Sequence, residues 1–319
     1  MNEMRAAVIV EPRKFRLERR PMPEPDHDQV RVRLEGCGVC GSNLPTWEGR
    51  EWIKYPMSPG APGHEGWGVV EAVGPGVNTV ARGDRVAFLS GNAFAEYDVV
   101  RADQLVQLPK ALESQPVPGE PLGCAMNIFR RSDIQPGQTV AIVGIGFLGA
   151  LVTRLATNAG ARVIAITRRS FALEVAKSYG AAELVPMDDH WKIIGRVKSL
   201  TDGVLCDRVI EAVGEQWPLD LSAELTRERG KLIIAGYHQD SPRQVNMQLW
   251  NWRGLDVINA HERDPAVYLE GMRLAVQEIA AGRLDPRPLY TSYKLDELDR
   301  AFEAMKSRPD GFMKALVTT

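Results

Sequence analysis

The sequence predicts an α/β protein with two domains, one rich in short β-strands and one built around a doubly wound parallel sheet. Its 319 residues exceed the usual size of one domain and can bury two hydrophobic cores. Over the first 110 residues, short strand-like segments are separated by Gly and Pro. From Thr139 onward, apolar strands alternate with helical patterns, the rhythm of a parallel sheet covered by helices.

The β-rich region shows the two-residue period of half-buried strands. Val30, Val32 and Leu34 alternate with polar residues, and the segments 67–73 and 94–100 are of the same class. Short strands with frequent turns favour a small distorted barrel.

The second region predicts five strands, near residues 139–143, 162–167, 205–211, 230–235 and 255–260. After residue 260 the pattern indicates a helix over 267–281, a strand near Leu289, a helix over 295–306 and a strand over 313–317.

Composition argues against several classes of function. The formal net charge is −2 and long basic runs are absent, so nucleic acid and anionic membranes are not expected partners. The most hydrophobic region, 140–152, is far shorter than the roughly 20 residues that span a bilayer. The first residues lack the pattern of a secretory signal, which favours a cytoplasmic protein. The four cysteines are too sparse for a disulfide framework, so thiols or metal ligands are expected.

A glycine-rich turn predicts a dinucleotide site. Gly144 allows a tight turn, Gly146 lets a pyrophosphate approach the backbone, and Gly149 permits close packing of the following helix, which Phe147 and Leu148 open. The pattern follows an apolar strand and precedes a second one, a context that favours cofactor binding over an ordinary strand-to-helix turn.

The end of the second strand bears on the choice of cofactor. An acidic residue there would bind the ribose 2′-hydroxyl of NAD and repel a 2′-phosphate. The chain instead has Thr167, Arg168 and Arg169, and guanidinium groups pair well with phosphate. NADP(H) is therefore favoured over NAD(H), although two solvated arginines on a loop remain the simpler interpretation.

Three residues are candidate ligands of one catalytic zinc ion. Cys40, His64 and Glu120 are of the types that bind Zn²⁺, and three protein ligands with one open position are typical of a catalytic site. With the dinucleotide site, such an ion indicates hydride transfer to or from a carbonyl carbon in a cleft between the two domains. Spacing alone is only suggestive, because a single Cys in a β-rich region is usually a core residue.

Four motifs together resemble the zinc-dependent alcohol dehydrogenase branch of the medium-chain dehydrogenase/reductase superfamily: the segments 38–42, 63–65 and 83–86 and the glycine turn. The resemblance covers nearly the whole chain. It implies a GroES-like catalytic domain formed by residues 1–125 and 261–319, with a Rossmann dinucleotide-binding domain of residues 126–260 inserted. It also implies an alcohol or carbonyl substrate and a homodimer or homotetramer.

The resemblance assigns roles to individual residues. The segment that begins Glu120-Pro121 is similar to that of the polyol (sorbitol-type) and threonine dehydrogenases, in which this glutamate lies at the zinc directly or through water. It likewise implies that Cys40, His64 and Glu65 lie at the metal, with Glu65 helping ligands to exchange. Cys124 is the second choice for the third ligand. Lys314 is implied to contact the pyrophosphate, with a solvated lysine at the end of a strand as the alternative, and no structural zinc is expected.

The segment after Cys40 departs from the family pattern. The usual order after the ligand cysteine is Gly, Ser or Thr, Asp, any residue and His, whereas this chain has Asn43 and Pro45 at the Asp and His positions. Asn43 can still accept a hydrogen bond but carries no charge, and Pro45 cannot pass protons to solvent. Ser42 remains available to relay a proton.

The substrate is less well defined. Trp47 and Trp52 are candidates for the wall of the substrate cleft, with aromatic core packing as the alternative. The Glu120 motif favours a polyol, a sugar or an amino alcohol. Two other functions stay open: a zinc-free NADPH-dependent enoyl or quinone reductase of the same superfamily, and a non-catalytic NADPH-binding sensor or scaffold.

Overall fold

The computed structural model describes residues 3–319, in which fifteen strands and nine α-helices are found. The strands are β1 (Glu3–Glu11), β2 (Lys14–Pro21), β3 (Gln29–Gly38), β4 (Glu65–Val73), β5 (Arg85–Phe88), β6 (Tyr97–Arg101), β7 (Leu105–Gln107), β8 (Thr139–Val143), β9 (Arg162–Thr167), β10 (Glu183–Pro186), β11 (Cys206–Glu211), β12 (Thr226–Ile234), β13 (Asp256–Asn259), β14 (Tyr290–Lys294) and β15 (Lys314–Thr318). The helices are α1 (Leu44–Glu48), α2 (Gly119–Ser132), α3 (Phe147–Asn158), α4 (Ser170–Ser178), α5 (His190–Leu200), α6 (Gln216–Leu225), α7 (Met247–Arg253), α8 (Pro265–Ala280) and α9 (Leu298–Ser307).

The chain divides into two compact units. Unit 1 takes in the chain up to Gly123 together with Tyr268–Thr319, and unit 2 is Cys124–Val267. Unit 1 is rich in strands and unit 2 carries a parallel sheet, so the predicted pairing of a GroES-like and a Rossmann-type fold is confirmed. None of the helices within residues 3–319 combines the length and apolar character needed to cross a bilayer.

Unit 1 is organised around one seven-stranded sheet. The strand order is β14-β15-β3-β4-β5-β7, β6 also pairs with β3, and β1 and β2 form a separate hairpin. Val30, Val32 and Leu34 are buried, as their alternation predicts. The core includes four large aromatic side chains, each of which buries a large apolar area: Trp47, Phe88, Phe94 and Phe302.

Unit 2 holds a six-stranded sheet in the order β10-β9-β8-β11-β12-β13, and every pair is parallel. This order reverses between β8 and β11, and ligands of such sheets bind outside the carboxyl ends of the strands at that point. The sequence prediction of five strands was incomplete. It missed β10, whose four residues are too few to show a period and in which only Val185 is fully buried.

Candidate functional site

Cys40, His64 and Glu65 form a compact group in unit 1. One ligand atom from each lies within 4.8 Å of the others. The local fold explains this grouping: β3 and β4 are antiparallel and Gly38 is paired with Glu65, so residues just beyond one strand lie beside those that begin the other. The cysteine sulfur and the imidazole are therefore close enough to share one ion.

Asn43 ties the two ligand segments together. Its side-chain oxygen accepts a hydrogen bond from the Cys40 N–H at 3.1 Å, and its Nδ2 donates to the Pro62 carbonyl at 3.1 Å. His64 Nδ1 lies 3.0 Å from the same carbonyl and 3.2 Å from Asn43 Nδ2. Donation from His64 Nδ1 to Pro62 leaves Nε2 as the nitrogen with a lone pair for a metal.

The electrostatics of the group favour a positive charge. Burial opposes the charged form of His64, but a hydrogen bond to Cys40 and the negative charges of Cys40, Glu120 and Glu65 outweigh it and raise the pKa of His64 to about 10. The same anions that attract a proton attract a metal ion, and a bound ion replaces that proton.

Glu65 is held by a buried lysine. Lys314 Nζ lies 2.6 Å from both carboxylate oxygens of Glu65 and donates a hydrogen bond to Oε1. Both side chains are almost fully buried. In place of the pyrophosphate contact expected for Lys314, its ammonium is committed to Glu65, because a buried lysine needs an anionic partner. Burial opposes the charge of Lys314, but Glu65 and Cys40 raise its pKa.

Glu120 belongs to the same electrostatic environment. It is the second residue of α2, half-buried, and its charge raises the pKa of both His64 and Lys314. Cys124, the second choice for the third ligand, lies four residues later in α2 and is half-buried. All four cysteines fall within the described part of the chain, where they are thiols rather than disulfides.

The residues present fit a zinc ion. A thiol, an imidazole and carboxylates are zinc ligands, and this is the one group of three such side chains with converging ligand atoms within residues 3–319.

Three other predicted site residues differ in their surroundings. Ser42 is half-buried in a short 3₁₀ turn directly after Cys40. Trp47 was expected to line the substrate cleft, but this is wrong: its side chain is fully buried and packs 5.6 Å from the Phe302 ring as part of the core. Trp52 is 69% exposed, so its ring is accessible.

Unit 2 contains the glycine turn in the arrangement that phosphate binding requires. Gly144 has a φ of 101° and passes so close to Ala212 and Val213 that a side chain would collide with them. A Cβ on Gly149 would lie 2.1 Å from the Gly144 carbonyl oxygen, whereas one on Gly146 would meet nothing within 4 Å. Phe147 begins α3 and Leu148 follows it, so the N-terminal turn of this helix lies beside the open space at Gly146.

The residues after β9 present positive charge. The strand ends at the buried Thr167, Arg168 is 58% exposed in its side chain, and Arg169 is half-buried at the start of α4. The Arg168 guanidinium lies 5.4 Å from the centre of the Trp217 ring and 3.6 Å from Glu215. Stacking on an aromatic ring orients the guanidinium and leaves its hydrogen-bond donors accessible.

A buried network at the carboxyl edge of this sheet was not predicted from the sequence. Glu211, the last residue of β11, is fully buried and accepts hydrogen bonds from the N–H groups of Val213 and Gly214. His238 Nε2 lies 3.0 Å from Glu211 Oε2, and Arg243 donates to His238 Nδ1 at 3.0 Å. A carboxylate at the end of an apolar strand, with Gly214 three residues later, is the signal that could have identified it.

Two family models match the chain. The model described as Alcohol dehydrogenase GroES-like domain matches residues 26–110, and the model described as Zinc-binding dehydrogenase matches residues 148–277.

Characterised proteins and solved structures are similar over most of their length. An alcohol dehydrogenase from Geobacillus stearothermophilus is 32% identical over 73% of this chain and 77% of its own. A sorbitol dehydrogenase from Bacillus subtilis (strain 168) is 26% identical over 98% of this chain and 97% of its own. A structure from Sinorhizobium meliloti 1021, described as that of a zinc-binding dehydrogenase bound to NADP, superimposes with a TM-score of 0.85 at 26% identity and covers 100% of both chains.

The strand order of both sheets, the Cys40–His64–Glu65 group and the glycine turn agree with these matches. The chain is thus an oxidoreductase, and it belongs to the zinc-dependent alcohol dehydrogenase branch of the medium-chain dehydrogenase/reductase superfamily.

Proposed function

We propose that this protein is an NADP(H)-dependent oxidoreductase that interconverts a polyol, sugar or amino alcohol with its carbonyl form at one catalytic zinc site. The observation that carries the proposal is the convergence of Cys40, His64 and Glu65 within 4.8 Å in a chain that also has an intact dinucleotide turn. A merely structural role for these three residues does not explain why anionic groups gather around a buried imidazole.

Cys40, His64 and Glu120 are the proposed ligands of the ion. Glu65 is the competing carboxylate, but its ion pair with Lys314 reduces the negative charge that it can offer to a metal. Cys124 is the alternative third ligand. When bound, zinc supplies Lewis acidity to an alcohol or carbonyl oxygen, and the nicotinamide supplies or accepts the hydride.

The chain's own residues position the ligands and move the proton. Asn43 fixes Cys40 and the segment before His64, and the Pro62 carbonyl sets the tautomer of His64. Ser42 is the proposed proton relay, because its hydroxyl follows the ligand Cys40 and is half-buried rather than sealed in the core. Pro45 offers no proton-carrying group, so the route to solvent through this position is closed.

The preference for NADP(H) rests on Thr167, Arg168 and Arg169. The end of β9 lacks the carboxylate that would repel a 2′-phosphate, and Arg168 is held over Trp217 with most of its side chain in solvent. The relative described as bound to NADP supports the same choice.

The preference for polyhydroxylated substrates is supported by the sorbitol dehydrogenase relative and by the Glu120 motif. A homodimer or homotetramer and a cytoplasmic location remain predictions.

A metal measurement combined with a substrate screen tests the function. We expect about one zinc per chain, oxidation of a polyol or amino alcohol that a chelator abolishes, and recovery when Zn²⁺ is restored. Glu120→Ala should lower zinc retention and activity together, whereas Cys124→Ser should leave both nearly unchanged. Active protein with no zinc would favour a zinc-free reductase, and tight NADPH binding without turnover of any alcohol, aldehyde or ketone would favour a binding protein.

The cofactor preference has its own test with a matched control. Arg168→Ala should weaken NADPH binding by about 10- to 100-fold, the size of a lost charge-assisted pair, and leave NADH binding unchanged. Arg196→Ala is the control, because its side chain is 57% exposed, in the same unit, and likewise carries only a long ion pair. Equal loss of NADPH and NADH affinity in the Arg168 variant would contradict the proposed 2′-phosphate contact.

A further inference from the structure

Arg168 takes its orientation from residues outside its own strand. Its side chain is 58% exposed, and its guanidinium lies 5.4 Å from the centre of the Trp217 ring and 3.6 Å from the Glu215 carboxylate. Trp217 is itself fixed, because its Nε1 donates a hydrogen bond to His190 Nδ1 at 3.1 Å. Both contacts of Arg168 lie at the start of α6, so the place of the guanidinium depends on how that end of the helix is held.

The turn that leads into α6 is held by the buried carboxylate of Glu211. Its Oε1 accepts hydrogen bonds from the N–H groups of Val213 at 2.7 Å and Gly214 at 2.8 Å. Gly214 has a φ of 89°, and a Cβ on it would lie 2.8 Å from the Tyr237 carbonyl oxygen. The turn therefore packs directly against the segment that follows β12.

Arg243, in the segment after β12, binds the same turn from the other side. Its Nη2 donates a hydrogen bond to the Gly214 carbonyl at 2.8 Å, and its Nε donates to His238 Nδ1 at 3.0 Å. His238 Nε2 in turn lies 3.0 Å from Glu211 Oε2. Glu211 and Arg243 thus bind the N–H and the carbonyl of one residue, and only 12% of the Arg243 side chain is exposed.

Gln244, the next residue, holds the first residue of α6. The Gln244 N–H donates to Gln216 Oε1 at 2.9 Å, and Gln216 Nε2 donates to the Gln244 carbonyl at 2.8 Å. Consecutive residues of the segment after β12 therefore bind the residues on both sides of Glu215. Because the start of α6 carries both contacts of Arg168, this segment determines where the Arg168 guanidinium lies.

We infer that Arg243 is a positioning residue for the selection of NADPH over NADH: it fixes the start of α6 and thereby holds the Arg168 guanidinium ready for the 2′-phosphate. The inference rests on the proposed function, because it presupposes that Arg168 contacts this phosphate. An arginine that is already held loses less rotamer freedom on binding than a free one. The Arg243 guanidinium is committed to hydrogen bonds with protein groups, so it acts through Arg168 rather than on the phosphate itself.

The dissociation constants of NADPH and NADH, measured by quenching of protein fluorescence, test the inference. In Arg243→Met we expect the ratio of the NADH Kd to the NADPH Kd to fall by about two- to tenfold, the effect of having to order one long side chain on binding. Arg253→Met is the matched control. Arg253 is 17% exposed and donates to three carbonyls at the other end of α6, those of Ala223, Glu224 and Thr226. This control should lose comparable stability in urea unfolding and leave the ratio unchanged.

A double variant shows whether Arg243 acts through Arg168. In the Arg168→Ala background, Arg243→Met should no longer change the ratio, since the residue that it positions is gone. Gln216→Ala removes both hydrogen bonds to Gln244 and should lower the ratio in the same direction. An unchanged ratio in Arg243→Met, or in Gln216→Ala where Arg243→Met does not fold, would overturn the inference. An equal change in the Arg253 control, or a change that persists without Arg168, would also overturn it.

Failure of the proposed function is distinguishable from failure of the inference. If Arg168→Ala alone weakens NADPH and NADH binding equally, the 2′-phosphate contact is wrong and the inference falls with it. If Arg168→Ala selectively weakens NADPH binding and Arg243→Met does not, the proposed cofactor preference stands and the inference alone fails.

Discussion

Asp98 carries a stability cost that can be measured as a function of pH. It lies in β6 of unit 1, 6% exposed, and its Oδ1 accepts a hydrogen bond from the Val99 N–H at 2.8 Å. Burial raises the pKa of this carboxyl to about 6, and the nearby Ser90 hydroxyl and the Val99 hydrogen bond offset the effect only in part. At neutral pH the folded protein therefore holds an ionised group in a position that favours the neutral form.

The size and sign of the effect follow from the two pKa values. A rise from the ordinary value of 3.8 to about 6 corresponds to about 3 kcal/mol of lost stability at pH 7.5. Because the folded-state pKa is the higher one, the native protein binds the proton more tightly. The loss is thus complete above pH 6, falls to about 1.5 kcal/mol at pH 5 and disappears below the unfolded-state value.

Asp98→Asn removes the charge with little change in shape. We expect the variant to be more stable than the wild type at pH 7.5 by up to about 3 kcal/mol, with the difference about halved at pH 5. Urea unfolding followed by tryptophan fluorescence at several pH values measures it. Asp103→Asn is the control, because that carboxylate is 63% exposed and pairs with Arg101. A difference that does not vary with pH, or a less stable Asp98 variant, would refute the argument.

Three further predictions concern the core, the glycine turn and the buried network of unit 2. Trp47→Ala should lower the free energy of unfolding by about 3–5 kcal/mol, as expected for a buried aromatic residue. Trp52 is exposed, so Trp52→Ala should leave urea unfolding nearly unchanged and alter only the KM for substrate. Gly149→Ala places a methyl group 2.1 Å from a carbonyl oxygen and should weaken NADPH binding by at least about tenfold, measured by quenching of protein fluorescence. Glu211→Ala leaves the N–H groups of Val213 and Gly214 without their acceptor, and the loss at the buried Gly214 should cost about 1–3 kcal/mol. Amide exchange around His238 should become faster, and unchanged exchange there would argue against the network.

Much of the fold could be predicted because its strands obey simple patterns. The apolar runs of β8, β9 and β11 are buried on both faces and stand between glycines and polar turns, so their positions were predicted to within one residue. β10 was missed because it is short and is the edge strand of the sheet, where fewer of its residues are buried. β12 begins at Thr226, four residues before the predicted start, since its polar first half carries no apolar signal.

The metal site was predictable in its ligand types but not in its neighbours. Cys40 and His64 stand in motifs, and strand pairing brings them together. Lys314 is 249 residues from Glu65 along the chain, and local sequence says nothing of a contact at that separation. Trp47 follows the Cys40 segment closely, yet the turn of α1 directs it into the core, a direction that depends on three-dimensional packing.

The pairing of β15 with β3 affects when the protein can become active during its synthesis. Residues 124–267 are continuous and can fold once they have left the ribosome, as domains generally do. The sheet of the other unit lacks two of its strands until β14 and β15 have been made. Glu65 therefore has no lysine partner during most of translation. A nascent chain can form its nucleotide site well before Lys314 is present to neutralise the charge of Glu65.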